Sequence, residues 1–488
     1  MIGISFNKKE FEYDAYTLVK AFYPKEEVEM YCILEEEAPR EYEKLVSIFY
    51  GDQVRIGIHT KDHVLEDSAS YDEEEDRKSR KNTLKQILYK LLVQETGHTL
   101  PWGDLTGIRP VKIAMGLIEE GMTNVQAADY MRKTYFTSDE KTALAITIAN
   151  RERDILKGID YENGYSLYVG IPFCPSICLY CSFSSSPLEK WKNRIDDYLA
   201  ALLKELSFIS REMKDRPLNT IYIGGGTPTT LEPDQLRRLL RHIQENFPVE
   251  EVSEYTIEAG RPDSINREKL MAIREFPVTR ISVNPQTMNQ KTLDIIGRRH
   301  TVEDTVRAFC LARDCGFDNI NMDLIVGLPG EHKEDVEHTL EEVKKLAPDS
   351  LTVHSLAVKR AARLNIFRDQ YQEMAFENNQ EIMDMAMKYA YEMGMGPYYL
   401  YRQKNMCGNL ENTGFAKVDK AGIYNILMME EKQSIMAAGA GASTKFVFQN
   451  GERIERAENV KDVTNYISRI DEMIQRKKVG IDTWLKKI

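Results

Sequence analysis

Three cysteines within eight residues form the pattern in this chain with the clearest chemistry. Cys174, Cys178 and Cys181 have the spacing C-x3-C-x2-C and follow the apolar run around Tyr168. Three thiolates with this spacing can bind three irons of a cubane cluster and leave the fourth iron without a protein ligand. An open metal position is where a substrate or cofactor binds. The pattern therefore predicts an iron–sulfur cluster with one open iron.

Two other interpretations of these cysteines are a structural zinc site and three unrelated core thiols. A structural zinc site has four ligands, and no fourth Cys or His is close in the sequence. Cys407 is the nearest candidate for a remote fourth ligand. Seven cysteines in 488 residues are too few and too uneven for a disulfide scaffold, so their clustering favours metal ligation. Cys310 shares a predicted helical face with Val306 and Phe309, which favours packing.

The cysteines lie in a region where short apolar strands alternate with longer amphipathic helices. We predict strands at Ser166–Gly170, Thr220–Ile223, Glu254–Glu258, Arg280–Val283, Asn319–Val326 and Ser350–Leu356. The helices predicted between them are Asp196–Met213, Pro233–Asn246, Arg267–Arg274, Val302–Cys315 and Lys333–Leu346. Such alternation implies parallel pairing with right-handed crossovers, in an α/β fold that resembles a (β/α)8 barrel with two units missing. The cysteine loop follows the first strand, at the end of a barrel where chemistry is assembled.

The residues around the cysteines, YVGIPFC and CLYCSF, resemble the radical S-adenosylmethionine (SAM) superfamily. Within it they are similar to the oxygen-independent coproporphyrinogen III oxidase-like family, over about residues 165–445. In that superfamily the open iron chelates the amino and carboxylate groups of SAM, and reduction cleaves SAM to a 5′-deoxyadenosyl radical. The resemblance implies a 4Fe–4S cluster on Cys174, Cys178 and Cys181, with SAM as the second cofactor.

Further motifs occur where this resemblance implies contacts with SAM. The turn Gly224-Gly225-Gly226-Thr227-Pro228 follows the second predicted strand, where glycines let free N–H and C=O groups approach a ligand. The resemblance implies that Gly225, Gly226 and Thr227 receive the amino group of SAM. It also implies SAM contacts for Tyr168, Tyr180, Glu258, Gln286, Arg298 and Asp323. Of these, Glu258 and Gln286 match ribose and methionine contacts, and Arg298 matches an arginine near the SAM carboxylate.

One of these positions is also unusual without the resemblance. Asp323 is a carboxylate within the apolar strand Asn319–Val326. Burial of a carboxylate is costly unless it is paired, so we expect Asp323 to face a polar ligand or an arginine.

The sequence predicts three domains. They are an N-terminal α+β and helical domain over residues 1–160, the partial (β/α)6 radical SAM barrel over 161–365, and a mainly helical C-terminal cap over 366–488. In the first domain, Glu27–Leu34 and Val54–His59 alternate as strands do. The polar stretch Asp62–Lys81 predicts a solvated loop that leads into a helix ending near Gly97, and residues 110–158 predict a helical hairpin. No residue pattern assigns a role to this domain.

The block Tyr398–Asn412 is dense in aromatic and polar residues. By itself it is equally compatible with an ordered surface loop. Together with the extra N-terminal domain it is most similar to the HemZ subgroup of the family, which implies a cap over a tetrapyrrole. Two departures concern function: Tyr424 stands where the heme-chaperone branch has a His, and Gly170 stands where the oxidase branch has a His. The first weighs against a chaperone and the second against full oxidase activity.

The resemblance thus predicts an oxidoreductase that converts coproporphyrinogen III to protoporphyrinogen IX by oxidative decarboxylation of two propionates without oxygen. The alternatives are a radical SAM enzyme that acts on heme, by ring opening or methyl transfer, and a heme-binding chaperone. A tetrapyrrole with four propionates requires cations, although each candidate is also compatible with a solvated surface charge. The candidates are Arg299, Lys359, Arg360, Arg363, Arg402 and Lys404.

Composition narrows the partners and the compartment. The chain has 65 Lys+Arg against 77 Asp+Glu, a net charge of −12, which argues against broad nucleic-acid binding. No apolar run reaches the roughly 18 residues that span a bilayer. The N-terminus has neither a signal-peptide nor a transit-peptide pattern. We therefore expect a cytoplasmic protein with a tetrapyrrole substrate and an unidentified electron donor, without a nucleic-acid partner or membrane span.

Overall fold

The computed structural model describes residues 1–35, 41–107, 109–183, 185–357, 362–367, 371, 374, 376–403 and 410–486. Four residues singled out by the sequence, Lys359, Arg360, Lys404 and Cys407, lie outside the described residues, as does the middle of the block Tyr398–Asn412. The chain divides into two compact units, Met1–Asn150 and Arg151–Ile488. No helix in the described part is long and apolar enough to cross a membrane.

The chain up to Leu156 begins with a mixed sheet and continues in helices. Its elements are β1 (Ile2–Phe6), α1 (Glu12–Phe22), β2 (Val28–Cys32), β3 (Lys44–Tyr50), β4 (Gln53–His59), β5 (Val64–Ser70), α2 (Arg77–Thr96), α3 (Pro110–Glu119), α4 (Asn124–Tyr135) and α5 (Asp139–Leu156). The sheet order is β2-β1-β3-β4-β5, with β1 parallel to β2 and β3, and β3, β4 and β5 antiparallel. Apolar faces of α1 and α2 share its core.

Two predictions for this region are wrong in part. The stretch predicted as a solvated loop contains the edge strand β5, which pairs only with β4. Its polar sequence fits an edge strand, where charged side chains are common. The stretch predicted as a helical hairpin contains three helices, α3 to α5. The predicted end of α2 is confirmed, since Gly97 caps it with φ of 72°.

From Tyr165 onward strands and helices alternate. The elements are β6 (Tyr165–Ile171), β7 (Phe173–Cys174), β8 (Ser186–Pro187), α6 (Ile195–Glu212), β9 (Leu218–Gly225), α7 (Pro233–Asn246), β10 (Glu254–Glu258), α8 (Arg267–Arg274), β11 (Arg280–Ser282), α9 (Gln290–Ile295), α10 (Val302–Asp314), β12 (Ile320–Val326), α11 (Lys333–Leu346), β13 (Ser350–Ser355), α12 (Arg363–Ile366), α13 (Gln380–Glu392), β14 (Gly396–Tyr401), β15 (Asn412–Ala416), α14 (Ile423–Met429), β16 (Ser434–Ala438), β17 (Ser443–Phe448), β18 (Arg453–Glu458), α15 (Val463–Ser468) and α16 (Ile470–Leu485).

The predicted α/β class is confirmed. Strands β6, β9, β10, β11, β12 and β13 are neighbours in that order and pair in parallel. Helices α6, α7, α8, α10 and α11 connect them, and their apolar faces join one core with the strands. Because all six strands point the same way, their carboxyl ends lie at one edge of the sheet.

The C-terminal region contains five strands besides its helices, and the sequence did not predict these strands. At one side of the sheet β15 adds antiparallel to β13, and β14 adds antiparallel to β15. Strand β16 adds parallel to β6 at the other side, followed by β17 and β18. Each has five or six residues. Strands of this length are stabilised by pairing with strands from earlier in the sequence. A local sequence pattern does not show such pairing.

A buried ion pair joins α6 to α16. Lys477 donates to the carboxylate of Glu205, and their side chains are 1% and 0% exposed. The same carboxylate accepts from the Gly439 N–H at 2.9 Å, the Asn459 amide at 2.8 Å and the Tyr466 hydroxyl at 2.6 Å. Both carboxylate oxygens are therefore fully used, as a charge in this position requires.

Candidate functional site

Five of the six parallel strands expose a polar side chain at one position each. Strands β6, β12 and β13 are each buried except at one residue. Strand β10 is partly exposed only at its last residue. In β9 the one partly exposed side chain lies three residues before the strand ends. Gln286, which follows β11, is also partly exposed. We call these six residues the inner ring: Tyr168, Tyr222, Glu258, Gln286, Asp323 and His354.

Contacts join some neighbouring members of the inner ring. The rings of Tyr168 and Tyr222 stack with centroids 6.3 Å apart, and the Tyr222 hydroxyl donates to the Glu258 carboxylate. Asp323 Oδ1 lies 4.0 Å from His354 Nε2. Asp323 Oδ1 accepts a hydrogen bond from the Asn321 amide at 2.7 Å, and the polar ligand or arginine that the sequence predicts for Asp323 stays a prediction. Four of the six ring residues were predicted, while Tyr222 and His354 were not.

Glu258 is a ring carboxyl whose pKa lies well above its ordinary value. Burial raises its pKa from 4.5 to about 7, and the nearby negative charge of Asp323 adds to the increase. Hydrogen bonds from Tyr222 and from the Gly225 N–H oppose the increase without cancelling it. Glu258 therefore exchanges its proton near neutral pH.

We expect the E258Q variant to show how much stability the folded protein loses when Glu258 ionises. Glutamine can still accept from Tyr222 but cannot ionise. Because the folded-state pKa of Glu258 is raised from 4.5 to about 7, the wild-type protein keeps its full stability below about pH 4.5 and loses stability as pH rises through about 7. We expect E258Q to exceed wild type by about 1–3 kcal/mol above about pH 8 and to lose this advantage near about pH 4.5.

The measurement is the urea midpoint of both proteins across this pH range. Asp323→Asn is the matched control, since it removes the neighbouring charge and leaves Glu258 able to ionise. A stability difference between E258Q and wild type that does not change with pH would contradict the raised pKa.

Gln286 combines backbone strain with an unpaired polar atom. Its φ is 68°, in the left-handed region that costs a side chain-bearing residue about 1–2 kcal/mol. The strain is held by hydrogen bonds from the Gln286 N–H to Asp323 O at 3.0 Å and from the Ile325 N–H to Gln286 O at 2.9 Å. The side-chain Oε1 of Gln286 is buried without a hydrogen-bond partner. A strained residue with an unpaired buried acceptor fits a ligand-binding position.

The glycine turn packs closely on the cysteine loop. Gly225 has φ of 107°, and a Cβ at Gly226 would lie 2.6 Å from Phe173 O. The N–H groups of Gly226 and Thr227 donate to Ile171 O and Phe173 O, both at 2.7 Å. These two N–H groups hold the turn in place and are not free for a ligand, contrary to the sequence-based expectation. An incoming ammonium group is a donor and requires carbonyl oxygens instead.

None of the three predicted cysteine ligands is in a disulfide bond, and hydrogen-bond donors lie beside Cys174 and Cys178. Thr227 Oγ1 donates to Cys174 Sγ at 3.6 Å, and Arg261 Nη1 lies 3.4 Å from Cys178 Sγ. Burial raises the pKa of the Cys174 thiol to about 11. In the described residues no three His, Cys, Asp or Glu side chains converge on one ion. Hydrogen-bond donors beside the sulfurs of Cys174 and Cys178 are a feature that iron–sulfur sites have.

Arg298 and Tyr180 meet beside this loop. Arg298 is 2% exposed, and its Nη2 donates to Gly260 O and Asn284 O, both at 2.9 Å. Its Nη1 donates to the Tyr180 hydroxyl at 3.3 Å. The structure thus brings these two predicted residues together, and the proposed contact of Arg298 with a carboxylate stays a prediction.

Tyr424 extends the tyrosine stack. Its ring lies 4.5 Å from Tyr222 and 6.4 Å from Tyr168, and its N–H donates to Glu254 at 3.2 Å. Burial raises the pKa of Tyr424, so its phenol is neutral at physiological pH. A neutral phenol in a stack of three aromatic rings is a poor metal ligand.

The structure describes three of the predicted propionate-binding cations. Arg299 and Arg363 are exposed. Arg402 is 4% exposed, and burial lowers its pKa to about 10. Cys310, for which the sequence favours packing, is exposed on α10.

Known proteins resemble both the core and most of this chain. The profile of the Radical SAM superfamily matches residues 168–343. The chain is 40% identical over 409 residues to the oxygen-independent coproporphyrinogen-III oxidase-like protein HemZ of Bacillus subtilis, which covers 83% of this chain and 82% of that protein. It is 38% identical over 195 residues to the heme chaperone HemW of the same organism, covering 40% and 51%. A solved structure of coproporphyrinogen III oxidase (HemN) from Escherichia coli matches with a TM-score of 0.49 and 25% identity, covering 66% and 73%.

Proposed function

The chain belongs to the oxygen-independent coproporphyrinogen III oxidase-like family of the radical SAM superfamily, and from this premise we propose that it converts coproporphyrinogen III to protoporphyrinogen IX without oxygen. A 4Fe–4S cluster and SAM are the cofactors of that superfamily. When bound, they supply a carbon-centred radical that removes a hydrogen atom from a substrate.

We assign the cluster to Cys174, Cys178 and Cys181, and SAM to the inner ring and the glycine turn. The unpaired Oε1 of Gln286 supports this assignment, because a buried acceptor requires a donor from a ligand. The turn supports it as well, since a side chain at Gly226 would collide with the cysteine loop. These are features of the chain itself and do not depend on its relatives.

In the proposed reaction a propionate side chain of the substrate loses a hydrogen atom from its β-carbon. Loss of CO2 and one electron from the same side chain then leaves a vinyl group, and a second propionate reacts likewise. The electron passes to an external acceptor. The protein contributes by holding the reacting C–H bond in register beside the inner ring and by excluding water.

The place of Tyr424 is the observation that favours this reaction over heme delivery. The heme-chaperone branch has a His at this position, and a neutral imidazole is an effective heme ligand. Here a buried phenol lies in the stack with Tyr222 and Tyr168. The likeness to HemW, which covers 40% of this chain, leaves heme binding as the second candidate.

The test is an anaerobic incubation of reconstituted protein with coproporphyrinogen III, SAM, a reductant and an electron acceptor. Mass spectrometry should show loss of two carboxyl groups from the substrate together with 5′-deoxyadenosine. Formation of 5′-deoxyadenosine without a change in the porphyrinogen would contradict the substrate and retain the cofactors.

Heme in place of coproporphyrinogen distinguishes the alternatives. A linear tetrapyrrole or a methylated product would identify an enzyme that acts on heme. Stoichiometric heme binding without turnover would identify a chaperone, and substitution Tyr424→His would then be expected to strengthen that binding.

A further inference from the structure

Arg261 is a buried cation in contact with the cysteine loop that no motif singled out. It follows β10 and is 5% exposed. One side of its guanidinium pairs with Asp263, through Nε at 2.9 Å and Nη2 at 2.7 Å. The other side faces the cysteine loop, with Nη1 3.3 Å from Ser176 O and Nη2 3.1 Å from Ser176 Oγ. Nη1 also lies 3.4 Å from Cys178 Sγ.

We propose that Arg261 raises the reduction potential of the cluster by donating a charged hydrogen bond to the Cys178 thiolate. This inference rests on the proposed cluster site. The reduction transfers one electron from a low-potential one-electron donor to the cluster, and no bond forms or breaks. The added negative charge spreads onto the thiolates, so a cation at hydrogen-bond distance stabilises the reduced cluster more than the oxidised one.

The groups around Arg261 do not cancel the effect of its positive charge on the Cys178 sulfur. Asp263 partly offsets the charge but lies on the other side of the guanidinium. His300 Nδ1 lies 4.0 Å from Asp263 Oδ1, and burial together with Arg298 lowers the pKa of His300 to about 4. His300 is therefore neutral near pH 7 and adds no positive charge. In a buried site a charge at this range acts more strongly than in water.

The same contacts admit a purely structural role, in which Arg261 only holds the cysteine loop through Ser176. The two roles differ in what they change. A structural role alters how much cluster the protein holds. An electrostatic role alters the potential of a cluster that is fully loaded. The experiment therefore measures both quantities on each variant.

Wild type, R261Q and R261K are reconstituted anaerobically, and iron and sulfide per chain are determined. The cluster is then titrated with a reductant and its reduced form is followed by electron paramagnetic resonance, without SAM or substrate. We expect R261Q to bind iron as wild type does and to have a reduction equilibrium constant about tenfold lower, or ~59 mV for one electron. R261K keeps the positive charge but lacks the paired N–H groups of the guanidinium, so its midpoint potential should lie between those of wild type and R261Q. An unchanged midpoint in loaded R261Q would overturn the proposal.

The variant D263N covers the case in which R261Q fails to load. It removes the opposing carboxylate and keeps the guanidinium, so the midpoint should move upward, opposite to R261Q. A D263N midpoint equal to that of wild type would overturn the proposal. Failure of the proposed function has a different signature, because a wild-type protein that assembles no cluster refutes the cysteine assignment before any potential is measured.

Discussion

Replacing Cys178 with alanine is expected to abolish the cluster and the cleavage of SAM. Cys178 is the middle cysteine of the loop and is 9% exposed, with Arg261 directed at its sulfur. A methyl group cannot bind iron, so only two of the three irons that the cysteines are expected to bind would keep a protein ligand. Loss of a residue that only hydrogen-bonds to a metal ligand costs about 10–100-fold in metal affinity. We therefore expect loss of a ligand itself to reduce 5′-deoxyadenosine formation by more than about 100-fold.

The measurement pairs iron content with 5′-deoxyadenosine formed in the presence of a reductant. Cys310→Ala is the matched control, because Cys310 is a free and exposed thiol on α10. Cys310→Ala should retain wild-type iron and turnover. Wild-type iron content in Cys178→Ala would contradict the cluster assignment, and equal losses in both variants would indicate nonspecific damage.

The alternating core could be predicted closely because its signals are local. Helix α7 has the predicted bounds, Pro233–Asn246, since a proline at its first position and an apolar face mark it in the sequence. Strand β10 also has the predicted bounds, Glu254–Glu258. The carboxyl ends of such strands share one edge, so Glu258, the last residue of β10, could be placed at that edge from the sequence. Asp323 lies in the middle of β12, and only the family resemblance placed it at the same site.

The missed site residues are those whose role depends on contacts far along the chain. Tyr222 acts on Glu258, 36 residues away, and Arg261 meets Cys178 over 83 residues. Tyr222 was open to prediction in one respect, because it pairs in register with Tyr168 on the neighbouring parallel strand. No local sequence pattern distinguishes Arg261. Its guanidinium contacts Ser176 and Cys178 only in the folded chain, where the segment after β10 meets the cysteine loop.

Replacing Lys477 with methionine is expected to lower the free energy of unfolding of the second unit by about 3–5 kcal/mol. Methionine fills a similar volume, so the loss arises from charge. The Glu205 carboxylate would stay buried, 0% exposed, without its cation. The same carboxylate holds the Gly439 N–H, and a Cβ at Gly439 would lie 2.5 Å from Gly170 O on β6. Destabilisation here therefore reaches the strand that leads into the cysteine loop.

Hydrogen exchange of the β6 and β16 peptides, together with urea unfolding, measures this loss. Lys478→Met is the matched control, because Lys478 is 41% exposed and its ion pair with Asp482 is at the surface. Surface pairs contribute about 0–1 kcal/mol, so Lys478→Met should stay within that range. The double variant Glu205→Gln, Lys477→Met removes both charges and keeps an acceptor for Tyr466 and Gly439. If charge imbalance is the cause, the double variant should be more stable than Lys477→Met alone. A double variant that is no more stable would assign the loss to packing of the lysine stem.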